Sequence, residues 1–331
     1  MEKLSIEKEQ NLKTAIIGLG VIGKVHAQIV KAQGRNLVAV CDLDETKLEK
    51  YTDSLHYKDY LTMLDEVKPD VVHICTPHYL HAQMIIEGLK RNINVLCEKP
   101  ICISYEEIEA VLEAEKNSSA ILGVCHQNRY NLSNLFVKDY IKDKKVTGGF
   151  GAVVWKRDQS YYNAAPWRGK WETAGGGVLM NQALHTLDLM QWLLGMPNSV
   201  SANLSTQRLK GIIEVEDNAI LNYFGKSNFN FFATTSGCCD FPVEIALYTG
   251  GEIIKIIGDQ VVINGRTIQF EKSDKIYGKS CYGVGHENLI ADFYNCVIAG
   301  EGFTIDAKEG CKVIRLILSA YKSNQQKIDI K

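Results

Sequence analysis

The stretch "TAIIGLGVIGKVHAQIV" (residues 14–30) starts with a short β-branched run, Ala15 to Ile17, and continues with apolar residues at helical spacing. The same succession of apolar run, turn and helical pattern recurs after "NLVAVCD", in "PDVVHICTPHYLHAQMIIEGLKRN" and in "NVLCEKPICISYEEIEAVLEAEKN". The runs are continuous rather than alternating, which marks strands covered on both faces and predicts a doubly wound parallel sheet. After "AILGVCHQNRYN" the pattern changes. A helical stretch (residues 132–141) leads through Gly148 and Gly149 into the strand-like "FGAVVWKRD". An aromatic, basic loop, "QSYYNAAPWRGKWETAGGG", precedes a helical segment in "GGGVLMNQALHTLDLM". Beyond Pro197 come alternating runs, "SVSANLSTQRL", "DNAILNYF" and "FNFFATTS", with shorter strands to about Phe270 and a final apolar helix, "EGCKVIRLILSAYKSN". This half predicts a large open, mainly antiparallel sheet with helices on one face. The boundary falls at 126/127, giving an α/β domain (1–126) and an α+β domain (127–331), with no internal repeat.

Composition narrows the partners. The 331 residues are 46% apolar and 23% charged, with a formal charge of −2 that gives no support for a nucleic-acid or anionic-membrane partner. The opening "MEKLSIEKEQNLK" is too charged for a signal-peptide core, and no apolar run approaches the roughly 18 residues of a membrane span. Ten cysteines include no CxxC pair, and Cys41, Cys75 and Cys97 sit in strand-like runs. They read as reduced, buried thiols of a cytoplasmic protein. An open sheet face has to be covered, so a homodimer or homotetramer is expected.

The chemistry begins at the first strand–helix junction. Gly18, Gly20 and Gly23, around Val21 and Ile22, form GxGxxG, which permits a tight turn and lets backbone approach a pyrophosphate at the helix N-terminus. Asp42, at the end of the next strand, stands where a carboxylate receives ribose hydroxyls and repels a 2′-phosphate, favouring NAD over NADP. Thr76, His78, His81, Glu98 and Lys99 follow later strands, where ligands of such sheets bind. His73, His78 and His81 have no acid or thiol nearby in sequence to complete a metal set, so no metal is expected. In the later helical segment Asn181, His185 and Asp188, spaced by four and three, share one face of an α-helix. The loop before it offers ring faces (Tyr161, Tyr162, Trp167) and donors (Lys156, Arg157, Arg168), the vocabulary of carbohydrate recognition. Gln127, Asn128 and Arg129 lie at the domain junction, within the expected reach of cofactor or substrate.

Together, "GLGVIGKVHA" with His26, "TPHYLH", "CEKP", "GGGVLMNQALHTLD" and "GHENLIADFYNCVIAG" cover nearly the whole chain in order. In these motifs it resembles the glucose–fructose oxidoreductase, inositol dehydrogenase and rhizopine-catabolism (Gfo/Idh/MocA) family of nicotinamide-dependent sugar oxidoreductases. The resemblance implies a Rossmann N-terminal domain with bound NAD(P), a cis peptide before Pro100, and catalytic roles for Lys99 and His185. Asn181 occupies the family's aspartate position, so the histidine lacks that carboxylate's support. The implied reaction oxidises a secondary hydroxyl of a sugar, sugar derivative or cyclic polyol. Hydride leaves for nicotinamide, His185 takes the proton, and Lys99 polarises the hydroxyl. Tyr162, Trp167, Arg168, Asn181 and His185 are the expected substrate contacts besides Lys99. Two alternatives accompany this reading: an enzyme using bound NAD for transient oxidation during sugar elimination or glycoside cleavage, and a non-catalytic NAD-binding sugar sensor.

Overall fold

The computed structural model describes residues 12–270, 277–278 and 283–331, and the chain divides into two compact units. The first contains six parallel strands: β1 (Lys13–Ile17), β2 (Asn36–Cys41), β3 (Leu55–Tyr57), β4 (Val71–Ile74), β5 (Asn94–Cys97) and β6 (Leu122–Val124). Their spatial order is β3-β2-β1-β4-β5-β6, the doubly wound order of dinucleotide-binding domains. The order reverses between β1 and β4, and ligands of such sheets sit outside the strand ends at that point. Helix Val21–Ala32 follows β1 directly and buries Val25, Ala27, Ile29 and Val30, in line with its apolar spacing. Ile16, Leu19, Ala27, Val30, Leu37 and Val40 form one core cluster that ties β1, this helix and β2 together.

Apart from Ile103–Tyr105, which belong to the second unit, the chain stays in the first unit to Gln127 and enters the second at Asn128, but it does not stay there. Helix Gly285–Ala299 and the segment to Gly310 belong to the first unit. The two units are therefore not separated by a single cut in the sequence. The physical reason is burial: Phe293 and Phe303 crowd Gly123 of β6, where a Cβ would lie 2.6 and 2.9 Å from their rings. Ile305 also accepts the β6 amide of Val124 at 2.9 Å.

The second unit is built on nine strands: β7 (Val146–Val154), β8 (Ser199–Ser205), β9 (Asn218–Phe224), β10 (Asn228–Thr234), β11 (Glu244–Thr249), β12 (Ile253–Ile257), β13 (Gln260–Ile263), β14 (Arg266–Ile268) and β15 (Ile328–Asp329). They order as β14-β13-β12-β11-β7-β10-β9-β8-β15, and only the β7–β10 pair is parallel. Gly148 and Gly149 lie inside β7 rather than before it. A Cβ there would meet the carbonyl oxygens of Asn228 and Ala246 at 2.6 and 2.3 Å, so close strand approach selects glycine. One sheet face packs on the core through Leu221, Phe229, Phe231, Ile245 and Leu247. The register puts Ile220, Phe232, Tyr248 and Ile253 together on the other face, all exposed. No helix among the described residues is long and apolar enough to cross a membrane.

Candidate active site

In the first unit the site grows out of the glycine turn. Gly18 has φ +88°, and its amide donates to Cys41 at 2.7 Å, which draws the turn onto the end of β2. A Cβ on Gly23 would sit 1.8 Å from the Gly18 oxygen, so the helix reaches the turn only because that residue has no side chain. Gly20 differs. A Cβ there meets nothing within 4 Å, so the turn is open at the N-terminus of helix Val21–Ala32, whose amides and dipole favour an anion. Val21 is exposed at the same mouth, while Ile22 packs on the core cluster.

Asp42 stands beside this turn, where Leu19 donates its amide to one carboxylate oxygen at 2.7 Å. The other oxygen accepts from the amide of Asp44 and from Lys47 Nζ, at 2.9 and 3.0 Å. Thr76 is half-buried, its hydroxyl on Met84 Sδ at 3.4 Å, and His78 is buried at the start of the turn His78–Leu80. His81 is buried with Nδ1 2.7 Å from the Pro100 carbonyl and Nε2 2.8 Å from the Thr76 carbonyl. Two carbonyl acceptors favour N–H on both nitrogens, but burial outweighs them and lowers the pKa of the ring. His81 thus bridges two strand-end loops through the Pro100 and Thr76 carbonyls.

Glu98 follows β5 and is likewise turned inward. Its Oε1 accepts from His26 and His286, each at 3.1 Å, and Oε2 accepts the Lys99 amide at 3.2 Å. Burial opposes its ionisation, yet the two imidazole donors hold the carboxyl well below the ordinary range. The polar side-chain atoms of Glu98 and His81 are engaged by imidazole and backbone partners within the protein. Lys99 itself is half-buried and joined to Pro100 by a cis peptide, as the resemblance implies. Desolvation lowers its pKa and the Glu98 charge opposes that shift. Among the described residues the group able to hold a metal is His26, Glu98 and Cys125, not the His73, His78 and His81 set weighed from sequence.

In the second unit the glycine triplet is explained by three close neighbours. Side chains on Gly175, Gly176 and Gly177 would strike Ile103, the Tyr321 hydroxyl and the Glu216 carbonyl. The segment after them is not a uniform α-helix: Leu179–Ala183 forms a π-helical turn that continues into α-helix Leu184–Leu194. The wider turn changes the expected single face for Asn181, His185 and Asp188, and such turns recur at functional sites. Asn181 and His185 are half-buried, whereas Asp188 is buried and accepts a two-pronged bond from Arg129 at 2.7 and 2.6 Å. Asn128 is half-buried, and its carbonyl accepts from the Asn134 amide group at 2.6 Å.

The aromatic loop converges on Tyr161. Its hydroxyl receives Nδ2 of Asn181 and Nε2 of Gln182, both at 3.3 Å. The Arg157 and Arg168 guanidinium groups lie over its ring at 5.2 and 4.3 Å. Arg168 also donates to the Tyr161 carbonyl at 2.9 Å, and Trp167 is half-buried beside it. Tyr162, expected to offer a ring face to substrate, is buried, and burial pushes its phenol up to about 12. A Cβ on Gly169 would meet Cδ1 of this ring at 3.0 Å, whereas Tyr161 is half-buried.

Sequence reasoning missed Glu216. This buried carboxyl accepts from the amides of Gly177 and Leu179, both at 2.9 Å, and from the Tyr321 hydroxyl at 3.0 Å. It caps the segment that carries Asn181 and His185. Burial raises its pKa to about 7, against the opposing pull of those donors. An acid directly after the apolar Val215, where a strand is about to begin, was the available signal.

Comparison with known proteins adds four findings. Residues 12–126 match a family described as "Oxidoreductase family, NAD-binding Rossmann fold", and residues 144–251 match the "GFO/IDH/MocA C-terminal domain". A D-glucoside 3-dehydrogenase of Escherichia coli is 25% identical, covering 94% of this chain and 95% of that protein. An inositol 2-dehydrogenase of Salmonella paratyphi B is 29% identical over 55% of this chain and 54% of the enzyme. The crystal structure of the WlbA dehydrogenase from Bordetella pertussis in complex with NADH and UDP-GlcNAcA has a TM-score of 0.83 at 25% identity. That match covers 97% of this chain and 99% of that one.

Proposed function

The chain belongs to the Gfo/Idh/MocA oxidoreductase family, and on that premise we propose that it oxidises a secondary hydroxyl of a sugar, sugar derivative or cyclic polyol. The observation that carries the reading lies within the first unit. A glycine turn open at Gly20 stands beside Asp42, and the half-buried Lys99 leaves the carboxyl end of β5 in the same sheet. The turn, the helix N-terminus and Asp42 suit the pyrophosphate and ribose of NAD. When bound, NAD supplies the hydride acceptor.

The residues of the chain then divide the remaining work. Lys99 donates hydrogen bonds to the hydroxyl oxygen and stabilises negative charge as its proton departs. Its lowered pKa also suits a part in proton relay. His185 takes that proton, since an imidazole titrates at about 6.5 and serves as a base near neutrality. Asn181 supplies no charge; it orients a substrate hydroxyl or the imidazole while resting on Tyr161. Two buried atoms of this wall have no protein partner among the described residues, Nε of Arg168 and Oε1 of Gln182.

The test is a screen of glucosides, inositols and UDP-sugars with NAD and NADP separately, read at the reduced-nicotinamide band. Net reduction of NAD by one of them, with NADP poorer by about tenfold (about 1.4 kcal/mol), supports the reading. Cofactor binding without net reduction by any sugar or polyol overturns it. The exposed face carrying Ile220, Phe232, Tyr248 and Ile253 is proposed to be covered by another copy, as a homodimer or homotetramer. A monomeric mass by light scattering at micromolar concentration would rule that out.

A further inference from the structure

Five buried polar side chains of the first unit touch in single file. Thr14 Oγ1 lies 2.7 Å from Tyr294 Oη, which lies 3.0 Å from His73 Nε2. His73 Nδ1 lies 2.8 Å from His26 Nδ1, and His26 Nε2 lies 3.1 Å from Glu98 Oε1. Glu98 also accepts from His286 and, through Oε2, from the backbone amide of Lys99. The Cys125 thiol stands 4.0 Å from His26 Nε2, and the Arg35 guanidinium lies 3.9 Å over the Tyr294 ring.

The positions of the protons follow from what each atom can do. An ionised carboxylate only accepts, so His26 carries its N–H on Nε2. Burial and the nearby Arg35 guanidinium disfavour a charged ring at His73. With His26 neutral, its Nδ1 is a lone pair, and His73 must donate to it from Nδ1. His73 Nε2 is then a lone pair as well and accepts from the Tyr294 hydroxyl. Tyr294 in turn accepts from Thr14. Every hydrogen points towards Glu98, and bonds aligned in this way polarise one another. The reverse polarity needs an imidazolium at His26, which keeps its Nε2–H on Glu98 while the other three bonds turn around.

We propose that Thr14, Tyr294, His73 and His26 are positioning residues, a one-way hydrogen-bonded chain that ends on Glu98 and through it fixes the backbone of Lys99. The proposal rests on the reading of Lys99 as the group that engages the substrate hydroxyl. It differs from a metal site built on His26, Glu98 and Cys125, because the 3.1 Å separations of nitrogen and oxygen are hydrogen-bond lengths.

The test uses the full-length protein with ¹⁵N-labelled histidine and long-range proton–nitrogen correlation at neutral pH. The expected result is two neutral rings, His26 protonated on Nε2 and His73 on Nδ1. Tyr294→Phe should move the His73 Nε2 resonance towards that of a free lone pair and also shift the Lys99 backbone amide. Thr14→Val, which removes only the first donor, should leave both tautomers in place and serves if the tyrosine variant does not fold. An imidazolium at His26, a His73 ring protonated on Nε2, or stoichiometric zinc in the purified protein overturns the chain. A Lys99 amide unmoved by Tyr294→Phe overturns its positioning role. None of these readouts depends on turnover, so failure here is separate from failure of the sugar screen.

Discussion

Replacing Glu216 with glutamine should flatten the stability of the second unit against pH. Burial disfavours the charge of the wild-type carboxyl and raises its pKa to about 7 in the folded protein, from an ordinary value of 4.5. A raised folded pKa means that the proton favours the native state. That contribution is complete below about pH 4.5, declines as pH rises, and is gone once pH passes about 7. At about 1.4 kcal/mol per pKa unit the displacement is worth about 3 kcal/mol. Glutamine cannot ionise, so the variant lacks this slope, although it carries a constant offset from its poorer acceptance of the Gly177 and Leu179 amides. The four tryptophans, Trp155, Trp167, Trp171 and Trp192, all belong to the second unit, so urea titrations read by intrinsic fluorescence report on it alone. Buried histidines such as His81 and His286 titrate in both proteins, so the difference between the two curves isolates Glu216. Between pH 5 and pH 7 that difference should change by about 2–3 kcal/mol. A difference that stays constant over the range refutes the claim that Glu216 folds with a raised pKa.

Gly20→Ala and Gly23→Ala should separate binding from folding. The first meets open space and, through the unfolded state, should change stability by less than about 1 kcal/mol while weakening NAD by about tenfold or more in calorimetry. The second drives a Cβ to 1.8 Å from the Gly18 oxygen, and a clear drop in melting temperature is expected. Equal NAD affinity in Gly20→Ala and wild type would argue against a pyrophosphate at that turn. Asn181→Asp puts a carboxylate where the family carries one, favours the imidazolium of His185, and should move the acidic limb of the kcat/KM profile to higher pH. An unchanged profile means that position 181 does not tune the base.

The first unit was legible because each of its signals is local. Glycines at 18, 20 and 23, continuous apolar runs and their alternation with helical spacing all lie within short windows, and β1 to β6 form where those windows stand. The return of residues 285–310 to this unit was not legible, because it depends on Phe293 and Phe303 closing over Gly123, more than a hundred residues away in sequence. Strand β7 shows the same limit: Gly148 and Gly149 read as a linker until neighbouring carbonyls are seen to press on them. At the site, Lys99 and His185 were visible as residue types at motif positions. The inward commitment of Glu98 and His81, the burial of Tyr162 and the capping by Glu216 were not, since each depends on partners brought together by tertiary packing. The π-helical turn at Leu179–Ala183 escaped for a related reason, because a single inserted backbone position leaves the apolar period nearly intact.

The central claim, that one hydroxyl is handled jointly by Lys99 and His185, is tested most directly by a double-mutant cycle. With a substrate that reduces NAD, kcat is compared among wild type, Lys99→Met, His185→Asn and the double variant. Groups acting on the same departing proton should each cost about a thousandfold or more, and the double loss should fall well short of the product of the two. Fully multiplicative losses, or a Lys99→Met enzyme that turns over at the wild-type rate, would contradict the account.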